Sequence, residues 1–333
     1  MGFWTERKVF VTGGTGLMGG WLVKQLLEDG AHVTLLVRDE TPKSMIVREG
    51  IIDQCSIVRG SLADSSTLRR ALLEHESDTV FHLAAQAIVG VAKLDPVGTL
   101  EANVQGTWNL LEAARNSRVE QIVVASSDKA YGSAEKLPYD ESFPMQGIYP
   151  YDCSKSCADL ITAMYAETYR LPVCVVRCAN LYGGGDLNFN RVIPGAIQAA
   201  LRGERFVIRS DGHFIRDFLY VKDAAMGYML VAENLAANRE LIGEAFNLSL
   251  ELRLDVIQLV ELVNSQLGRQ DLEPVILNQA SAEIREQYMI SEKSRRVLGW
   301  KPVYSLEEGL VETIDWYTDF FATKPRAFAQ AAG

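Results

Sequence analysis

Along the first half of the chain, short apolar runs alternate with longer amphipathic ones. Lys8–Thr12, His32–Val37, Ser56–Val58, Thr79–His82, Gln121–Ser126 and Val173–Arg177 read as strands bounded by turn residues. Between them, Leu17–Glu28, Thr99–Arg115 and Asp152–Tyr169 repeat apolar positions at helical spacing. Strands that are apolar throughout are buried on both faces, which predicts a parallel sheet with helices on each side.

Beyond Asn180 the rhythm changes. Gly183–Asn190 is too rich in glycine and polar residues to be a core element. Shorter elements follow: helices Pro194–Arg202, Leu254–Gln266, Ser291–Leu298 and Leu306–Phe321, and strands Phe206–Arg209 and Pro274–Leu277. The expected architecture is α/β. A Rossmann-type doubly wound parallel sheet covers 1–180 and is rejoined by 214–245. A smaller C-terminal α/β substrate lobe is built from 181–213 and 246–333. The Ala-rich tail 323–333 is expected to fray.

The length of 333 residues suits two such lobes. Lys and Arg number 33 against 43 Asp and Glu, a net charge of −10 that speaks against a general nucleic-acid binder. A polyanionic ligand remains compatible with that sign, because a helix N-terminus or a single arginine makes a local positive spot. No apolar run reaches the length of a membrane span, and the start is not signal-like, so no membrane partner and a cytoplasmic setting are expected. Cys55, Cys153, Cys157, Cys174 and Cys178 form no Cys-x-x-Cys, and the four histidines do not cluster around them. No metal site is expected.

Chemistry enters with the loop after the first strand, Thr12-Gly-Gly-Thr-Gly-Leu-Met-Gly19. Gly13, Gly16 and Gly19 permit a tight turn, close approach to a pyrophosphate and tight helix packing, with Thr15, Leu17 and Met18 lining the same turn. Asp39, twenty residues past Gly19, suits the ribose hydroxyls of NAD, whereas Arg38 suits the 2′-phosphate of NADP. NAD is the cofactor expected, with NADP open. Leu62 follows the third strand, on the adenine side.

A second constellation starts where the fifth strand ends, at Ser126-Ser-Asp-Lys129. Tyr151 and Lys155 follow, four apart on one helix and therefore on one face. An ammonium beside a phenol lowers its pKa and makes it a usable base, and Ser127 can hold the same substrate oxygen.

These residues resemble the extended short-chain dehydrogenase/reductases that act on nucleotide sugars. The resemblance spans His82-Leu-Ala-Ala-Gln86, Asn103-x-x-Gly106-Thr107, Arg216-Asp-Phe-Leu-Tyr-Val-x-Asp223 and Leu298-Gly-Trp-Lys-Pro302, besides the glycines and Tyr151/Lys155. It implies that Leu83, Ala84, Ala85 and Asn103 line the cofactor with Tyr151 and Lys155. It implies also that Gln86, Asn180, Arg191, Arg216 and Tyr288 meet a nucleotide-diphosphate hexose, with Arg216 on the pyrophosphate. Three features resemble the CDP-glucose 4,6-dehydratases: Phe3-Trp4, Ser127-Asp-Lys129, and Gly183-Gly-Gly-Asp186 followed by Arg191-x-x-Pro194. In that likeness Asp128 is the acid and Lys129 the base of a dehydration. Other readings of the same fold are a 4-epimerase, a decarboxylase, a 4-keto reductase, or a dinucleotide-binding sensor without chemistry. The exposed faces of Thr99–Arg115 and Asp152–Tyr169 resemble helices that pair two protomers, so a homodimer is expected.

Overall fold

The computed structural model describes residues 2–279 and 284–323; the tail beyond Thr323 lies outside them. Thirteen strands are present among these residues. They are β1 (Lys8–Thr12), β2 (His32–Val37), β3 (Ser56–Arg59), β4 (Thr79–His82), β5 (Gln121–Ala125), β6 (Val173–Cys178), β7 (Asn180–Tyr182), β8 (Val207–Ile208), β9 (Ile215–Arg216), β10 (Phe218–Tyr220), β11 (Ala245–Leu248), β12 (Val275–Ile276) and β13 (Glu286–Gln287). The helices are α1 (Leu17–Glu28), α2 (Met45–Arg48), α3 (Ser65–Glu74), α4 (Val89–Leu94), α5 (Pro96–Leu100), α6 (Gly106–Arg115), α7 (Pro150–Tyr169), α8 (Val192–Arg202), α9 (Val221–Ala237), α10 (Val256–Gln266) and α11 (Leu306–Ala322).

Seven strands, all parallel, make the central sheet in the order β3-β2-β1-β4-β5-β6-β11. Successive side chains alternate faces. Val9, Val11 and Val123 enter one core with α1 and α9, while Phe10, Ile122 and Val124 enter the other with α3, α6 and α7. The strand order reverses between β1 and β4, where the carboxyl ends of such sheets leave a crevice. Both proposed reactive segments, the loop after β1 and the turn after β5, open there.

Several elements depart from the sequence reading. α3 carries only Leu68, Ala71 and Leu72 as buried residues, too few to stand out as an apolar stripe. The helix expected over Thr99–Arg115 is broken by a wide π-helical turn at Glu101–Gln105. Within the segment 214–245, residues up to Tyr220 pair with β7 and β13, and α9 begins the return to the central sheet. The seventh strand then runs on to Leu248, past the expected boundary at 245.

The smaller lobe has its own core, in which Ile193 and Ile197 of α8, Leu259 and Val263 of α10, and Leu310 and Tyr317 of α11 meet. Capping boxes set the starts of two of these helices: Asp255 with Gln258, and Ser305 with Glu308. Three short parallel pairs, β7–β10, β8–β12 and β9–β13, stitch the lobe together. Among the described residues no helix is long and apolar enough to cross a membrane, and no three potential ligands gather as a metal site.

Candidate active site

The β1–α1 loop is shaped by close backbone approach. Gly13 has φ +77°, and a Cβ there would lie 2.6 Å from Ala84 N. A Cβ on Gly19 would strike the Gly13 carbonyl and lie 2.7 Å from Gly14 Cα. Gly16 is exposed and caps α1, whose first turn receives no side-chain cap and holds no acidic residue. Its free N–H groups therefore face outward beside a residue with no Cβ, a cradle that fits the pyrophosphate of a dinucleotide. Thr15, Leu17 and Met18 are half-buried around it. Past the end of β2, Arg38 and Asp39 pair with each other at 2.6 Å, both largely in solvent. Leu62 packs on Gly106 and accepts a hydrogen bond through its carbonyl from Asn109 Nδ2 at 2.8 Å.

Below the loop a buried chain of hydrogen bonds fixes the end of β4. Thr107 Oγ1 donates to Asn103 O (2.6 Å), so His82 Nε2 donates to Thr107 Oγ1 (3.0 Å). His82 Nδ1 then accepts from Thr12 Oγ1 (2.8 Å), which itself accepts from Ala84 N (3.2 Å). This pattern requires a neutral imidazole, and burial, aided by the nearby charge of Lys155, lowers its pKa to about 3. Asn103, at the centre of the π turn, accepts from Gln86 N (2.7 Å) and donates to Gln86 O (3.1 Å) and Ser154 Oγ (2.8 Å). One side chain thus clamps the half-buried Leu83–Gln86 stretch to the helix that carries Tyr151. Widened helical turns often occur at functional sites for such a reason.

The turn after β5 carries the candidate reactive groups. Ser127 Oγ accepts from Lys129 N (3.2 Å), capping the turn, and donates to Asp128 Oδ1 (2.9 Å). Asp128 is 2% exposed and its Oδ2 has no partner. Burial raises its pKa against the charges of Lys129 and Arg216. Lys129 Nζ donates to Gln287 Oε1 at 3.0 Å. From α7, Tyr151 faces the same turn, with its phenol raised to about 12 by burial and opposed by a Ser127 hydrogen bond and the Arg191 charge. Lys155 Nζ donates to Ala125 O (2.7 Å), and burial lowers its pKa to about 8. Asp152, also buried, is raised to about 6. The four-residue spacing predicts that Lys155 lowers the Tyr151 phenol; in the protein alone burial outweighs any such help.

On the facing side Arg216 lies close enough to bias Asp128, while its NH1 donates to Ile215 O (2.8 Å) and Arg285 O (3.2 Å). Arg191, at the start of α8, pairs with the buried Asp186 at 3.0 Å. Asn180 Nδ2 donates to Asp217 O at 3.0 Å. The structure therefore gathers Ser127, Asp128, Lys129, Tyr151, Arg191 and Arg216, with Lys155 and Asn103 behind them. Tyr288 instead places its ring beneath the Arg253 guanidinium, 4.8 Å away.

Sequence reasoning missed the proximity of Asp152 to Asp128 and Lys129, the contact of Gln287 with Lys129, and Asp217, which burial raises to about 7 while Ser249 donates to it. Asp217 lay inside the quoted Arg216–Asp223 motif; Gln287 carried no signal.

Comparison with known proteins is consistent with this arrangement. Residues 9–249 match the profile of the NAD dependent epimerase/dehydratase family. The chain is 28% identical over 332 residues to dTDP-D-glucose 4,6-dehydratase of Bos taurus, covering 95% of this chain and 90% of that one. It is 30% identical over 331 residues to CDP-glucose 4,6-dehydratase of Salmonella typhimurium, covering 95% and 91%. The fold matches that of a UDP-glucose 4-epimerase from Thermotoga maritima, solved with UDP-glucose, with a TM-score of 0.85 at 29% identity, covering 94% and 99%. The glycine cradle after β1, the buried tyrosine and lysine of α7 and these matches over most of the chain lead to one conclusion: the protein belongs to the NAD-dependent epimerase/dehydratase family.

Proposed function

We propose that the protein is a nucleotide-sugar 4,6-dehydratase that converts an NDP-hexose into the NDP-4-keto-6-deoxyhexose, with CDP-glucose as first substrate. The observation that carries this reading is Asp128: a buried carboxyl, pushed towards its neutral form, with one oxygen unpartnered and an amine on the next residue. A 4-epimerase, as in the Thermotoga maritima neighbour, requires no acid–base pair for dehydration. NAD is the cofactor, held at the Gly13–Gly19 cradle with Asp39 on the ribose. Bound there, it would supply the hydride acceptor for C4 and the hydride donor for C6.

The chain's own groups do the rest. Tyr151, its phenol drawn toward the ionised form once the positive charge of a bound nicotinamide is added, takes with Ser127 the proton of the C4 hydroxyl as that carbon is oxidised. The resulting ketone acidifies the C5 proton. Lys129 removes that proton while Asp128 protonates the C6 hydroxyl, which leaves as water and creates a C5–C6 double bond. Once C6 has been reduced, Lys129 returns a proton to C5. Arg216 and Arg191 offset the charge of the diphosphate, with guanidinium geometry suited to it. Asn180 and Gln86 complete the sugar-nucleotide side.

The five unpaired thiols fit a reducing compartment, and the cytoplasm is the setting proposed. Leu94, Val97, Leu100 and Trp108 on α4–α6, with Leu160 and Met164 on α7, are large apolar side chains left exposed on helices that pack together. They support a homodimer formed through these helices.

The deciding experiment incubates the NAD-loaded protein with CDP-glucose, dTDP-glucose, GDP-mannose and UDP-glucose and follows product mass and C4 configuration. Loss of one water to a 4-keto-6-deoxy sugar is expected. A product of unchanged mass inverted at C4 overturns the reading. Tyr151→Phe is expected to slow the first step by about 10²–10⁴-fold. Lys129→Met is expected to leave C4 oxidation intact while slowing exchange of the C5 proton with solvent deuterium.

A further inference from the structure

Gln287 is fully buried, and strand β13 fixes it from two sides. On one side it is in register with Arg216 of β9, and Ile215 N donates to Arg285 O at 2.9 Å. On the other, Tyr139 N donates to Tyr288 O (3.1 Å) and Ile290 N to Tyr139 O (2.9 Å). The side chain spends its Oε1 on Lys129 Nζ at 3.0 Å and leaves Nε2 buried with no acceptor. A buried primary amide half satisfied is costly, and natural proteins carry few such groups without a use for them.

The chemistry of that contact is specific. Lys8, Lys24, Lys222 and Lys293 each meet a glutamate carboxylate. Lys129, like Lys155, instead hydrogen-bonds a neutral oxygen. An amide oxygen takes one N–H of an amine and leaves the nitrogen lone pair free, whereas a carboxylate favours the ammonium. The charged and titratable groups facing Lys129 are Asp128 from its own turn, Asp152 from α7, and Arg216 from the strand that carries Gln287's partner. Among these Gln287 is the neutral one.

We infer that Gln287 is a positioning residue for the dehydration step: its Oε1 orients the Lys129 amine toward C5 of the sugar. This rests on the dehydratase reading. The proton still moves from C5 to Lys129 and no bond forms to Gln287.

The test uses the NAD-loaded full-length protein and the accepted NDP-hexose. C4 oxidation is followed in single turnover, and C5 exchange with solvent deuterium is followed across pH, for wild type, Gln287→Glu and Gln287→Leu. In Gln287→Glu the new carboxylate is expected to move the rising limb of the exchange profile up by at least about one pH unit, with no such shift in the pH profile of C4 oxidation. Gln287→Leu is expected to slow exchange about 10–100-fold while slowing C4 oxidation less. Its urea midpoint should match or exceed that of wild type, because an unsatisfied amide has been removed. A Gln287→Glu profile superimposable on wild type overturns the proposal, as does equal slowing of both steps in Gln287→Leu. Should the wild type form no 4-keto-6-deoxy product from any sugar, the dehydratase reading fails, and the role of Gln287 fails with it.

Discussion

Lys155 is buried at 6% exposure with its charge unwelcome there, and replacing it should expose a conflict between stability and activity. Burial moves its pKa from 10.5 to about 8, a change equivalent to roughly 3 kcal/mol between its two protonation states. Between those values the unfolded chain keeps a proton that the native protein has released. The Lys155 contribution to stability therefore rises with pH from about 8 to 10.5 and is lost as pH falls through 8. At pH 7 the lysine thus burdens the apoprotein. Lys155→Met removes that burden and also the hydrogen bond to Ala125 O, which offsets about 1–2 kcal/mol of the gain. The variant should be about 1–2 kcal/mol more stable at pH 7, and this advantage should shrink by roughly 3 kcal/mol on going to pH 10.5. Urea unfolding of nucleotide-free protein at several pH values measures it. Subtracting wild type from variant cancels other titrations in that range, such as the thiols of Cys55, Cys174 and Cys178, which burial raises to about 12. A stability difference that stays flat between pH 7 and 10.5 would refute the reasoning.

Gly19→Ala places a methyl against Gly13 and Gly14, so it should cost about 1–3 kcal/mol in stability and weaken NAD binding at least tenfold in calorimetric titration. Unchanged affinity would remove the cradle from cofactor binding. Leu160→Lys, at a position 59% exposed, should leave the stability of the single protomer within about 0.5 kcal/mol while converting the proposed dimer to monomer in light scattering. A variant that stays as dimeric as wild type would place the interface elsewhere.

What the sequence made legible followed from local rules. The glycines at 13, 16 and 19 are confined by spacing to one turn, and Tyr151 with Lys155 share a helix face because of the helical period. The inner strands β1, β2, β4, β5 and β6 could be read because each is mostly apolar, whereas β3 (Ser56–Arg59) is a largely exposed edge strand. The rest depends on distant pairing. β13 is two residues long, too short to show any periodicity, and its Gln287 meets Lys129 only because β9 and Tyr139 hold it there. The bidentate pair between Arg177 and Asp159 is likewise buried within an apolar strand and an amphipathic helix, where neither residue's sequence context suggests the other. The wide turn around Asn103 escaped notice because its residues are as compatible with an ordinary helix.

The seventh strand has a consequence for how the protein comes into being. β11 covers the outer edge of β6, whose six residues are all buried in the finished molecule, yet it is synthesised only after the stretch from 179 to 244. Until then a nascent chain presents an unpaired apolar edge of the kind that recruits other strands. The cofactor half is therefore not a detachable module. A fragment ending near Asn180 would lack an edge of its own sheet and should aggregate, and any scheme that grafts this half onto another protein has to carry α9 and β11 along with it.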